Sequence, residues 1–234
     1  IFRTADHLAG ALYKAGVEEG NLALFALPNL VIFVPAFLAL CKLSATIALV
    51  SPKYGESELR SIIDALHPSG ILTTSGTEII GKLPLGQKAT VPIALHSDDL
   101  QWIPLEKDLS SHSLLEETAL IKFTSGSTGA LKGICLSAEN VLTEARNVSD
   151  TLGLNPDDKI LAAVPLSHSY GFDLGVLAML YSGAPLYLQD SFIPRQALDV
   201  LSARGISIFL GVPSMYRFFL EIRSHTQPDL SHIR

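Results

Sequence analysis

Short apolar runs alternate with stretches of helical period along almost the whole chain, and no other feature limits its fold as tightly. A strand buried on both faces reads as a continuous apolar run, whereas the helix covering it reads as a stripe. Leu22–Leu27, Ala45–Val50 and Ile71–Thr74 are runs of the first kind. Glu58–Leu66 is the cleanest stripe, with Leu59, Ile62, Ile63 and Leu66 at i, i+3, i+4 and i+7. An opening helix is expected over Ala5–Ala15, stopped by Gly16, and another over Asn29–Lys42, kinked or restarted at Pro35. Gly76–Glu117 is more polar, with short strands expected at Val91–Leu95 and Trp102–Leu105. Strands at Ala119–Phe123 and Gly133–Leu136 flank a glycine-rich loop, and Ser137 caps a helix running to Thr151. The last third repeats the alternation: strands at Ile160–Val164, Pro185–Leu188 and Ile206–Leu210, helices at Leu174–Leu180, Pro194–Arg204 and Ser214–Arg223. Pro194 opens the middle one of these helices and Gly205 closes it. The order predicts an α/β chain with largely parallel sheets.

Composition removes several classes of function. A net charge of −6 with no basic run excludes a nucleic-acid footprint. Leu22–Val50 is strongly apolar, but Pro28-Asn29 and then Lys42 with Ser44 interrupt it. No run reaches the roughly 20 residues a bilayer span requires. Cys41 and Cys135 sit among apolar neighbours without metal-ligand spacing and read as two buried free thiols of a reducing cytosol. The seven histidines are too dispersed for a zinc site. Charged residues make up 17% of the chain, below the roughly 25% usual for soluble domains, which suggests surface meant to be covered by further chain.

Phe123-Thr-Ser-Gly-Ser-Thr-Gly-Ala-Leu-Lys-Gly133 carries the chemistry. Four hydroxyl side chains, three glycines and one lysine fall within these eleven residues, directly after an apolar run. Glycines let backbone N–H groups turn toward an anion, the hydroxyls add donors, and Lys132 supplies a mobile positive charge. A nucleoside triphosphate is the ligand such a loop suits. The string is not a Walker loop, because Lys132 is followed by Gly133 rather than by Ser or Thr.

The string resembles the phosphate-binding signature of the adenylate-forming (ANL) superfamily: acyl- and aryl-CoA synthetases, luciferases and peptide-synthetase adenylation domains. It departs only at Leu131, where that family usually has proline. Val17–Asn29 and Pro52–Leu59 resemble two further family segments in the right order. Pro165-Leu-Ser-His168-Ser-Tyr-Gly171 resembles the family's P-x-x-H-x-x-G motif, and Gly211-Val-Pro-Ser214 its next pocket-wall strand end. The His leans toward CoA ligases, since peptide-synthetase domains usually carry Phe-Asp there.

The resemblance implies two stacked α/β lobes, approximately 18–156 and 1–17 with 157–234, forming part of an N-terminal AMP-binding domain whose C-terminal domain is absent. It implies phosphate binding by Thr124, Ser125, Gly126, Ser127, Thr128, Gly129 and Lys132, with Thr128 and Lys132 catalytic. His168, Ser169, Tyr170, Gly171, Val212 and Pro213 would line the acyl and thiol pocket. No metal ligand is assigned in this chain; Tyr54-Gly-Glu-Ser-Glu58 mimics the family's magnesium motif but lies before the loop. The implied activity is ATP- and Mg²⁺-dependent conversion of a fatty or aryl acid to an acyl adenylate, then transfer to CoA, in a cytoplasmic enzyme without a transmembrane segment. This piece is expected to be inactive alone. A carrier-protein-loading ligase (acyl carrier protein as acceptor) and a non-catalytic nucleotide-binding module are the alternatives.

Overall fold

A computed structural model describes residues 1–79, 81, 91–93, 100–105, 117–125, 131–222 and 228–234. Its contacts divide the chain into two units, Ile1–Asn140 and Val141–Arg234.

The first unit contains α1 (Phe2–Lys14), β1 (Leu22–Ala26), α2 (Phe33–Lys42), β2 (Thr46–Leu49), α3 (Glu56–Leu66) and β3 (Gly70–Thr74). β4 (Val91–Pro92), β5 (Leu100–Pro104), β6 (Leu120–Ser125) and β7 (Leu131–Leu136) follow. They form one sheet in the order β4-β5-β3-β1-β2-β6-β7. The central β3-β1-β2-β6 pairings are parallel, while β4, β5 and β7 join antiparallel at the edges. Alternation along β1 divides the core. Leu22, Leu24 and Ala26 pack with Leu59 and Ile62 of α3. Phe25 points the other way and meets Phe33 and Phe37 of α2 edge-on, with ring centroids 4.8 and 6.5 Å away. β1 and β2 are buried on both faces, which is why their sequences read as unbroken apolar runs. Trp102 of β5 lies flat against Gly70, where a Cβ would come within 2.2 Å of the indole.

Three local readings change. α2 starts at Phe33, so Pro35 sits in its first turn, where no backbone N–H is needed, and Pro35 imposes no restart. α3 starts two residues before Glu58, whose carboxylate reaches back to accept the Gly55 N–H at 2.8 Å. α1 packs on α2 through its buried face of Ala5, Leu8, Ala9 and Leu12 and so belongs to the first unit. The expected division had joined residues 1–17 with the last third; the apolar face of α2 supplies the burial that α1 requires. Residues 94 and 95 of the expected Val91–Leu95 strand lie outside the described residues.

α4 (Ala138–Leu152) begins at the boundary between the units and is capped as expected. The Ser137 hydroxyl accepts the Asn140 N–H at 3.2 Å, and the Asn140 side chain accepts the Ser137 N–H at 3.1 Å. The second unit then runs β8 (Ile160–Ala162), a helical stretch, β9 (Leu186–Leu188), α7 (Pro194–Arg204), β10 (Ile208–Leu210) and α8 (Pro213–Ile222). The stretch comprises α5 (Ser169–Gly171), a π-helical segment (Phe172–Leu177) and α6 (Ala178–Ser182), so it starts well before the expected Leu174. The strands form a parallel sheet in the order β10-β8-β9.

Asp158, just before β8, is the buried charge that organises this unit. Its carboxylate accepts from Arg234 at 2.6 and 3.2 Å, from the Ser207 hydroxyl at 2.7 Å and from the Asn155 backbone N–H at 3.0 Å. Burial pushes the carboxyl upward, but these bonds outweigh it and hold the group below its ordinary 3.8. A depressed carboxylate stabilises the fold above its unfolded value, and that contribution is lost as the pH falls through the folded one. Asp158→Asn is therefore expected to cost about 2–3 kcal/mol in urea unfolding at neutral pH. The gap from the native chain should close as the pH falls below 3.8. A gap that persists unchanged in acid would contradict this account.

Candidate functional site

All four central strands of the first sheet run the same way, so the segments after β1, β2, β3 and β6 emerge at one edge. Ligands of open α/β sheets bind at that carboxyl edge. β6 delivers Thr124 and Ser125 there, and β7 returns antiparallel with Thr124 opposite Lys132 and Ser125 opposite Leu131. Directly opposed residues share a face with Cβ atoms about 5 Å apart. Thr124 and Lys132 are thus directly opposed, and both are exposed. Among the described residues Lys132 has no carboxylate partner. Gly126, Ser127, Thr128 and Gly129 lie outside the described residues, as does the side chain of Ser125.

The other face of the hairpin is structural. Ile121 of β6 is buried; Phe123 and Leu131 are partly buried against the same core cluster as α3. The Phe123 ring lies over Gly133, where a Cβ would sit 3.5 Å from it. Leu131, the one departure from the family string, pairs with Ser125 and packs into that cluster. Cys135 lines the groove of about 350 Å³ between α3 and this face. Both thiols are exposed, contrary to the sequence reading. Cys135 belongs to an edge strand, and Cys41 is absent from the buried set of α2.

Polar groups that sequence reasoning did not single out close the crevice between β1 and β3, where the strand order reverses. The Thr73 hydroxyl donates to the Ala26 carbonyl at 2.9 Å and lies 2.6 Å from the Thr77 hydroxyl.

In the second unit the loops after β8 and β10 emerge side by side at the carboxyl edge, again where the strand order reverses. Here the structure joins two motifs that are 41 residues apart: the Tyr170 hydroxyl donates to the Gly211 carbonyl at 3.3 Å. Burial, with Tyr216 nearby, pushes the Tyr170 phenol upward, so it remains a neutral donor. His168 precedes the first helical turn, its carbonyl accepting the Phe172 N–H at 2.8 Å, and its imidazole is exposed. Ser169 and Pro213 are exposed and Val212 is half-buried at the same edge. Gly171 explains the spacing of the motif, because a Cβ there would approach the Pro165 carbonyl oxygen to 2.4 Å. The π-helical segment that follows belongs to a class of distortion frequent at functional sites. Phe209, Tyr216 and Phe219 form a ring cluster beside Gly211, with centroids 5.4 to 6.4 Å apart. Sequence reasoning did not single these rings out, although Tyr216 and Phe219 stand at i, i+3 on one helix.

A family model described as "AMP-binding enzyme" matches residues 1–234. The medium-chain fatty-acid–CoA ligase of Escherichia coli (strain K12) is 27% identical over 249 residues, covering 98% of this chain and 44% of that protein. The feruloyl-CoA synthase of an Amycolatopsis species is 26% identical over 238 residues, covering 100% of this chain and 47% of that protein. Among solved structures, o-succinylbenzoate CoA synthetase from Bacillus subtilis with its acyl-adenylate intermediate superposes with a TM-score of 0.79 at 22% identity. That match covers 100% of this chain and 59% of the other, and shows a shared fold. The chain spans about half the length of the curated relatives it matches.

Two glycines with opposite surroundings test the packing. Gly171→Ala is expected to lower stability by about 1–3 kcal/mol, because backbone must move. Gly10→Ala, in α1 with nothing within 4 Å of its added Cβ, should raise stability by up to about 1 kcal/mol. Thermal unfolding of the two variants should therefore shift in opposite directions.

Proposed function

The chain belongs to the AMP-binding enzyme family, and on that premise we propose that the protein activates a carboxylic acid with ATP and passes the acyl group to coenzyme A. The observation that carries this reading is the hairpin, which sets the exposed residues Thr124 and Lys132 directly opposite each other at the carboxyl edge of the parallel strands. Those donors fit a triphosphate. In the first step a carboxylate oxygen bonds to the α-phosphorus, and the bond from that phosphorus to the bridging oxygen breaks. Pyrophosphate leaves with increased charge. Lys132, with the hydroxyls of Thr124, Ser125, Ser127 and Thr128 and the N–H groups of Gly126 and Gly129, stabilises that charge. Mg²⁺ bound with ATP would supply further neutralisation at the phosphate oxygens, and no residue of this chain is assigned to hold it.

In the second step the thiol sulfur attacks the adenylate carbonyl, the carbon–oxygen bond to AMP breaks, and the thiol proton passes to solvent. His168 orients the carboxylate at the junction of the acid and thiol routes, with Ser169, Tyr170, Gly171, Val212 and Pro213 as walls. The relatives' names favour CoA over a carrier protein as acceptor. On this reading the chain alone does not complete adenylation, and the enzyme works in the cytoplasm. Among the described residues no helix is long and apolar enough to cross a membrane.

Adenylation is reversible on the enzyme, so acid-dependent exchange of labelled pyrophosphate into ATP by the protein at full length tests the activity. Lys132→Ala is expected to slow that exchange about 10²–10³-fold with melting unchanged, because the side chain is exposed and contributes nothing to the core. Unaltered exchange would reduce the hairpin to a turn, and absence of exchange with every acid would favour a non-catalytic nucleotide-binding module.

His168→Ala should raise the KM for the acid or slow thioester formation by about tenfold while leaving the KM for ATP in place. Separate assays of the two half-reactions distinguish these outcomes from a loss confined to ATP binding, which would contradict the assignment.

A further inference from the structure

Lys122 is the one buried lysine or arginine among the described residues, 8% exposed in the middle of β6. Its neighbours along the strand, Leu120, Ile121 and Phe123, all serve packing. Lysine is seldom buried, because an apolar residue fills the same space without the cost of drying a charge. Packing therefore does not account for it. Its cover on the sheet is apolar. Ile134 stands opposite on β7, and carrying the β2–β6 register one residue further sets buried Leu49 on the other side.

The hairpin register gives the position a meaning. The next rung of this face toward the carboxyl edge pairs Thr124 with Lys132. Alternation puts Lys122, Thr124, Lys132 and Ile134 on one face, so both charges of the described hairpin residues share it. Between Cβ atoms, Lys122 is about 7 Å from Thr124 along the strand and about 7–8 Å from Lys132 on the diagonal. Like charges held that close repel, and an anion bound beside them relieves the repulsion. Burial adds to this, because a charge surrounded by protein is screened less than an exposed one. We infer that Lys122 is a second cation of the phosphate site, a positioning residue that holds the triphosphate on the Thr124–Lys132 rung by its charge rather than by contact. The inference rests on the triphosphate binding proposed above.

Lys122→Met removes the charge at similar length, and Lys122→Arg keeps the charge. Calorimetric titration of the protein at full length, with no acid present, separates charge from shape. Lys122→Met should bind ATP about five- to tenfold more weakly than the native protein, and adenosine, which carries no phosphate, equally well. Lys122→Arg should recover most of the loss. In pyrophosphate exchange the KM for ATP should rise by the same factor in Lys122→Met while the KM for the acid stays constant. A Lys122→Met protein that melts like the native one and binds ATP as tightly overturns the inference and leaves the activation reading intact. So does an equal loss of adenosine binding. Failure of both Lys122→Met and Lys122→Gln to fold also overturns it, because the ammonium then serves the fold. A native protein that binds ATP but exchanges pyrophosphate with no acid overturns the activation reading alone, and one that binds no ATP overturns both.

Discussion

Parallel strand pairing is the constraint on which both units depend. Two parallel neighbours cannot be joined by a tight turn, so the chain must cross over through a helix and re-enter from the same end. All the segments leaving the strands then collect at one edge, and the helices are forced onto the faces. In the first unit this brings the end of β6 to the edge where β1, β2 and β3 also end. In the second it brings Tyr170 to Gly211 although β8 and β10 lie far apart in sequence. The chemistry is gathered by topology before any side chain makes a contact.

This explains what could be read without coordinates. A strand covered on both faces must be apolar throughout, so β1, β2 and β3 stand out in the sequence, and the α3 stripe marks the helix that covers them. Helix ends with strong local chemistry were equally legible, as at Ser137, Pro194 and Gly205. The motif residues Thr124, Lys132, His168 and Tyr170 were legible because their types are rarely needed for packing in such runs. The errors have a common cause. Whether Pro35 kinks a helix depends on where the helix begins, and α1 had no sequence signal naming the helix that buries it. The exposure of Cys135 depends on β7 being the last strand of its sheet, which no local pattern encodes.

The glycines carry two kinds of information that composition does not separate. Gly126 and Gly129 were read for close approach to an anion. Gly171 and Gly211 admit other parts of the protein instead: the Pro165 carbonyl in one case and two aromatic rings in the other. Both kinds lie within recognisable motifs. A motif match therefore does not by itself mark the glycines, such as Gly171 and Gly211, whose surroundings leave no room for a side chain.

The hairpin shows why packing and chemistry are hard to vary independently here. Residues alternate in a strand, so each position that turns Thr124 or Lys132 toward the ligand edge turns Phe123, Gly133 or Leu131 toward α3. A register slip of one residue would exchange the two sets, exposing the apolar side chains and burying the ammonium. The cost of burying that charge makes the slipped arrangement unfavourable. Leu131 acts in the same direction: with its side chain in the apolar cluster, it anchors the strand that presents Lys132. A proline at that position would stiffen the backbone directly, whereas leucine fixes it through burial, so the position of the ammonium depends on the core beneath it.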